Sequence, residues 1–552
     1  MREARLVPAA ALVWAVTLVM VLAGSAGPTT GPLLALGLVA LCVLGAWAAR
    51  SAGQAMVLAA VGIVAGILSH ARWRDAQNPL PEQVSAQVAG EPRSISGDTW
   101  LLPVHVEGYP AQVPLFVESQ EPLNLARGTP LSAHVQWEIS ERAGLGRWVG
   151  TVEDWQAGNP QGLHAWVAGV HQRFIEAVQA QVGEATQGLI PGMVLGNTTA
   201  QGDGERELYI ATGLSHLSAV SGANVTIVAT CAFLLCRLCG LGPRVQVGCA
   251  GFFVLAFFFL VGPEPSVLRA TLTGLVGLLA VAHAATFPPL HGLSVAVIVL
   301  LLYDSSLATQ WGFALSVAAT AGIVLLYPLL YRTLAATRLP DVLVRALAVA
   351  LAADLSTTPL VAAMSGRMSL VSVLANVLVA PAVAPITVIG LLAVVAVLLP
   401  GGGEVVALWV IEPCAWWIHR VAQWCASLPL ATVEARPQWV LLSYAWVAYL
   451  FFLGYRRTTI VGLAVLALVA AWPERRAPPV ELSELRVAVV DTEEEAMKVG
   501  PDAQAIVVRD GSGRPADYPS QTPAGVPVFF PHRDGPVTLH RDGTQHAADG
   551  RF

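Results

Sequence analysis

The run LVSVLANVLVAPAVAPITVIGLLAVVAVLL, residues 370–399, holds thirty consecutive positions without a charged side chain. A helix crossing a bilayer core needs about 20 apolar residues, whereas about 10–14 would suit a buried helix of a soluble protein. This run therefore belongs in lipid. Pro381 and Pro385 lie inside it, and each removes a backbone donor that lipid cannot replace. It is either one broken helix or two short ones. Runs of comparable character lie on both sides, at about 6–24, 32–49, 54–70, 217–236, 246–262, 267–285, 289–303, 312–330, 343–362, 404–424, 438–454 and 458–472, which makes thirteen predicted spans. The whole chain agrees: 552 residues, 55% hydrophobic, 12% charged, mean hydropathy +0.61. The predicted fold class is a polytopic α-helical membrane protein, with a small extracytoplasmic β domain and a short C-terminal β segment. The first run is not a cleaved signal, because two more follow at once with no soluble start between them.

Charge and composition exclude several functions. A net charge of −6 gives no overall attraction to nucleic acid or anionic lipid. Of 31 basic residues only Lys498 is a lysine, and Met497-Lys498-Val499 is no phosphate-binding loop. The chain is thus not expected to hydrolyse ATP. The seven cysteines lie in or beside apolar runs, so no disulfide framework is indicated. Cys236-Arg-Leu-Cys239 has no second ligand pair, and reads as small residues in a helix.

Two stretches interrupt the apolar pattern near the N-terminus. From Ala71 to Gly150 charges are mixed and turn residues frequent, and Leu101–Glu107 and Ala133–Glu138 alternate as strands do. Over this range nine acids outnumber six arginines, although a single-strand binder wants a positive groove with stacking aromatics. Weak or absent DNA affinity is expected of this domain. Trp166, Val170, Phe174, Val178 and Val182 then recur every fourth position among polar residues, predicting an amphipathic helix within 160–190. It packs on the β domain or lies at the membrane surface. The expected organisation is three spans in 1–70, a β domain in 71–150, the amphipathic helix, a membrane domain of about ten spans in 200–472, and a tail in 473–552.

Thirteen crossings from a cytoplasmic N-terminus place Arg2, Arg5, Arg50, Arg237, Arg244, Arg332, Arg338, Arg345, Arg456 and Arg457 in cytoplasmic connections. That is the positive-inside pattern. The β domain and the tail then both lie outside.

The most informative segment is Gly213-Leu-Ser-His-Leu-Ser-Ala-Val-Ser-Gly-Ala-Asn-Val225, read as the start of the fourth span. Ser218, Gly222 and Thr226 at intervals of four would give a face small enough for close backbone approach. His216 and Asn224 are polar groups that lipid penalises, so they are expected to face the bundle interior or a watery cavity.

His216-Leu-Ser-Ala-Val-Ser-Gly-Ala-Asn-Val225 resembles the signature of the ComEC competence family, membrane channels for DNA uptake. In the family's order come Leu189-Ile-Pro-Gly-Met-Val-Leu-Gly196, Pro265-Ser-Val-Leu-Arg-Ala270, Gly366-Arg-Met-Ser-Leu-Val-Ser-Val-Leu-Ala-Asn376 and Pro381. The resemblance covers about residues 30–475. It implies that 71–150 is similar to the family's outer OB-fold domain, and that the chain is a plasma-membrane channel for single-stranded DNA in natural competence. The candidate channel residues are His216, Ser218, Ser221, Gly222, Asn224, Arg269, Asp354, Arg367 and Asn376. Arg269 and Arg367 fall near outer ends of spans, and are either snorkelling cations or a cationic mouth for phosphate. Asp354 falls near the middle of a span, where a carboxylate costs about 2.5–3.5 kcal/mol. It lines a pore, takes part in proton coupling, or pairs with an arginine.

Drawing a polyanion into a cell that is negative inside costs about 2.3 kcal/mol per charge per 100 mV. Without a nucleotide site, the expected partners are a cytoplasmic translocase or the proton gradient, a DNA receptor outside, single-stranded DNA itself, and membrane lipid. Relatives in the family often carry a metallo-β-lactamase-like nuclease domain with His-x-His-x-Asp-His. Here Leu485–Asp491 and Ala505–Gly511 resemble only its opening strands, and His532, His540 and His546 are too widely spaced for that motif. No metal, cofactor or catalytic residue is expected, and strand degradation falls to a separate nuclease. An intramembrane enzyme using His216 with Ser218 or Ser221 lacks an orienting acid. The alternative function is a transporter of a smaller solute with a midplane site around Asp354.

Overall fold

The structure is a computed structural model. It describes residues 5–442 except 24–26, 28, 97–98, 120–122, 124, 141, 284–287, 429–430 and 439, and in the tail 486–496, 499, 503–509, 520–522, 526–539 and 545–547. The chain divides into two units, 1–456 and 457–552.

Lipid satisfies no backbone polar group, so the apolar runs take the one open-chain form that bonds every N–H internally. They form α1 (Val7–Ala23), α2 (Thr30–Ala48) and α3 (Ala52–Ala76), then α8 (Gly222–Leu238), α9 (Pro243–Val261), α10 (Pro265–Ala282), α11 (Pro289–Tyr303), α12 (Trp311–Leu334), α13 (Asp341–Ser365), α14 (Ser372–Val397) and α15 (Gly403–Ala426). Between the two groups come α4 (Gly162–Gln181), α5 (Glu184–Gln187), α6 (Leu189–Leu195) and α7 (Asp203–Ala211). Among the described residues eight helices are long and apolar enough to cross a membrane: α2, α3, α9, α10, α12, α13, α14 and α15. α1, α8 and α11 are apolar but shorter. The predicted spans at 438–454 and 458–472 lie wholly or mostly outside the described residues.

The proline-bearing run is a single helix. In α14 the buried residues Ala375, Val379, Ala382, Ile386, Gly390 and Ala393 form one stripe through both prolines. Trp417 of α15 donates to the Leu378 carbonyl at 2.9 Å and ties the two helices together. α6 is buried at all seven positions, and α4 turns Val170, Phe174 and Val178 into the same core as α6, α14 and α15. The amphipathic helix thus packs on the membrane helices.

The β domain is a small barrel of β1 (Gln83–Val88), β2 (Arg93–Ser96), β3 (Thr99–Val106), β4 (Gln112–Glu118), β5 (Pro130–Ile139) and β6 (Trp148–Ala157). The order is β1-β5-β6-β4-β3-β2, and β1 also pairs with β3, which closes five strands on themselves. β4 and β6 run parallel, the other pairs antiparallel. Alternate residues point inward, Val84, Ala86 and Val88 from β1 meeting Val113, Leu115 and Val117 from β4. The barrel occupies 83–157, so the expected boundaries of 71 and 150 shift: Ala71–Ala76 finish α3, and β6 extends the last strand to Ala157. Tyr109 donates to the Ala76 carbonyl at 3.1 Å, and Arg147 to Gln77 at 2.9 Å, seating the barrel on the end of α3.

Beyond the barrel, β7 (Arg367–Ser369) before α14 pairs antiparallel with β8 (Thr432–Glu434) after α15. In the second unit β9 (Val487–Val490), β10 (Ala505–Val508) and β12 (Pro527–Phe529) are parallel neighbours, with β11 (Ser520–Gln521) antiparallel at one edge. A hairpin pairs β13 (Val537–Leu539) with β14 (Gln545–Ala547).

Candidate functional site

The polar segment between α7 and α8 is not the start of a helix. Residues 213–221 form turns, and α8 begins only at Gly222. Serines compete for backbone groups that a helix would use. Ser218 donates its hydroxyl to the Ser215 carbonyl at 2.8 Å, and Gly213 turns the chain with φ +70. Ser218 therefore does not share a helical face with Gly222 and Thr226. Leu214, Leu217 and Val220 are buried and anchor the segment. His216 is exposed on these turns.

The segment is held by close backbone approaches. A β-carbon at Gly192 of α6 would lie 2.5 Å from the Ser218 carbonyl oxygen, and one at Gly213 would lie 2.5 Å from the β-carbon of Ser372. Only glycine permits such approaches. Ser266 of α10 donates to the Val220 carbonyl at 2.9 Å.

Asn224 is buried, and its amide joins three helices. It donates to the Met193 carbonyl of α6 at 2.9 Å, and its oxygen accepts from Thr387 of α14 at 3.3 Å. Ser221 donates to the same oxygen at 3.5 Å. Neither serine hydroxyl is bonded to His216, so no base–nucleophile pair is assembled.

Two charged residues flank the segment. Arg269, one turn into α10, is 7% exposed, and its Nε donates to Ser316 of α12 at 2.7 Å. It is neither a snorkelling cation nor an open mouth. No carboxylate among the described residues pairs with it. Asp354 of α13 accepts a hydrogen bond from Ser372, the first residue of α14. The Asp–Arg pair foreseen for it is absent among the described residues, and its partner is a hydroxyl. Asp354, Ser372 and Gly213 therefore touch in series, while Gly222 abuts Arg269 on the segment's other end.

Two predicted residues stand apart. Arg367 lies on the β7–β8 strand pair, 3.8 Å from Glu207 of α7, where both side chains are 65% exposed. Asn376 donates to the Ser372 carbonyl of its own helix at 2.9 Å. Ser372, Thr387 and Ser316 were not singled out in advance. Ser372 follows the left-handed Gly366 turn within a quoted motif, so position marked it, but its contact with Asp354 is tertiary.

Residues 193–459 match the family model described as Competence protein. That stretch, just under half of the chain, is similar to the Competence protein family. The Competence segment begins in α6, and includes the 213–221 turns and all nine predicted site residues. Together with its apolar helices it makes the chain a multi-pass membrane protein. Neither a curated protein nor a solved structure matches the chain. Among the described residues no group of three His, Cys, Asp or Glu side chains is placed to hold a metal. His532 is described, and His540 lies outside the described residues.

Proposed function

We propose that the chain passes single-stranded DNA across the plasma membrane during natural competence, as a channel driven by a partner translocase or the proton gradient. The observation that carries this reading is the Competence match over 193–459, which contains the polar segment and its charged neighbours. The family suggests DNA uptake across a membrane, and its domain is of channel rather than catalytic type.

The site's chemistry supports the reading. A path for a phosphate chain must be hydrated and must offer polar or cationic groups. His216, Ser218, Ser221, Arg269 and Asp354 gather such groups around one irregular segment inside a membrane domain. Irregular backbone at membrane depth is tolerated where protein buries it or where it lines a cavity. Asp354 repels phosphate while charged, so its role is to hydrate the path or to carry a proton.

The barrel is read as OB-like and extracytoplasmic. Its five-strand closure and parallel β4–β6 pair support the first point. Three helices before it support the second, as does its meeting the α9–α10 turn, at the opposite end of α9 from Arg244. Its acid surplus assigns DNA capture to a separate receptor and strand degradation to a separate nuclease. The test is a deletion strain given labelled DNA. Surface-bound DNA that stays outside supports the channel; normal internalisation with loss of a small-solute flux supports a transporter built around Asp354.

A further inference from the structure

The barrel meets the membrane helices through a small polar contact that includes a carboxyl group. Glu91, between β1 and β2, accepts a hydrogen bond from the Thr198 backbone N–H at 3.1 Å. Arg127, between β4 and β5, donates through Nε to the Ala89 carbonyl at 2.6 Å and reaches Glu264 at 3.4 Å. Its guanidinium occupies the place of a side chain at Gly262: a β-carbon there would lie 1.5 Å from Nη1, and Gly262 has φ +97. The 197–199 and 262–264 turns are thus shaped to receive the barrel. Each adjoins a contact with the polar segment. Gly196 lies against Val220, and Ser266 bonds the Val220 carbonyl.

We propose that protonation of Glu91 sets how firmly the barrel docks on these two turns, beside the polar segment. The docking stands without the DNA-channel reading, and only its consequence for passage rests on that reading. The charged groups facing Glu91 are Glu264 at the N-terminus of α10, Arg93 of β2 and Arg127. His171 of α4 and His105 of β3 stand near Arg127, and burial holds both below the ordinary histidine range. Neither adds positive charge near neutral pH.

Burial is the largest influence on Glu91, and with Glu264 it pushes the carboxyl up from 4.5 to about 7, against the Thr198 bond and the two arginines. The docked carboxyl therefore holds its proton more tightly than a released one. Docking is fully favoured below pH 4.5, and weakens as pH rises through about 7. By linkage the docking equilibrium changes on the order of a hundredfold between those limits.

Hydrogen–deuterium exchange on the full chain in lipid nanodiscs, wild type against Glu91→Gln, tests this between about pH 5.5 and about pH 8.5. After correction for intrinsic exchange, the 196–202 and 260–266 peptides of the wild type are expected to lose protection as pH rises. The same peptides in Glu91→Gln stay protected, because its amide is neutral throughout. Buried α6 serves as the internal control. Wild-type protection that does not change with pH overturns the proposal even if the variant fails to fold, and so does an equal pH response in both proteins. DNA uptake is not measured, so failure here leaves the channel reading standing.

Discussion

A methyl group on Gly222 would lie 2.6 Å from a guanidinium nitrogen of Arg269. The first residue of α8 and the buried cation of α10 therefore occupy one another's space, and Arg269 keeps its bond to Ser316 only because position 222 carries no side chain. Gly222→Ala is expected to push Arg269 off Ser316 at a cost of about 1–3 kcal/mol. Thermal unfolding in detergent checks the loss. The cost should shrink when Gly222→Ala is combined with Arg269→Ala, because the two groups contend for one volume.

Asn224→Ala leaves the Met193 carbonyl without its buried donor, while the Thr387 hydroxyl keeps its bond to the Val383 carbonyl. The orphaned carbonyl costs about 1–3 kcal/mol, so the variant should be less stable than wild type. Thr387→Val removes only one arm and should cost less. Denaturation midpoints of the two variants, compared in one detergent, decide it.

Gly262→Ala places a β-carbon on Arg127 at a left-handed φ. The barrel contact should open while the barrel itself stays folded. Limited proteolysis is expected to cut near 158–161 and 196–202 faster in the variant, with the barrel fragment intact. Equal cutting rates would show that the contact does not hold the barrel.

Gly150 of β6 faces the barrel core, where a β-carbon would lie 2.3 Å from Val135 and 2.8 Å from Leu115. Gly150→Val should destabilise the barrel by several kcal/mol through overpacking. The fluorescence of Trp137 and Trp148, which flank that position, would report its unfolding.

Much of this was legible in the sequence, for identifiable reasons. The 370–399 run declared a membrane helix by length and lack of charge, and Val170, Phe174 and Val178 declared a packed face by spacing. Alternation at Leu101–Glu107 and Ala133–Glu138 marked β3 and β5. Where α8 begins was hidden, because the choice between turns and helix at 213–221 depends on Gly192, Ser372 and Ser266, all distant in sequence. The fate of Pro381 and Pro385 was hidden too, since continuity of α14 draws on its packing against helices distant in sequence. Asp354 was noticed for its charge, but its Ser372 partner is fixed by how α13 meets α14. Glu91 carried no local signal, and only the meeting of barrel and helices gives it significance.

The most direct test of the central claim is uptake of labelled DNA by a deletion strain carrying Asp354→Asn or Arg269→Gln, with surface-bound and internalised label counted separately and membrane levels of the protein matched. The channel account predicts that DNA still binds outside while internalisation falls to background in at least one variant. Wild-type internalisation by both variants, at equal protein levels, would contradict it.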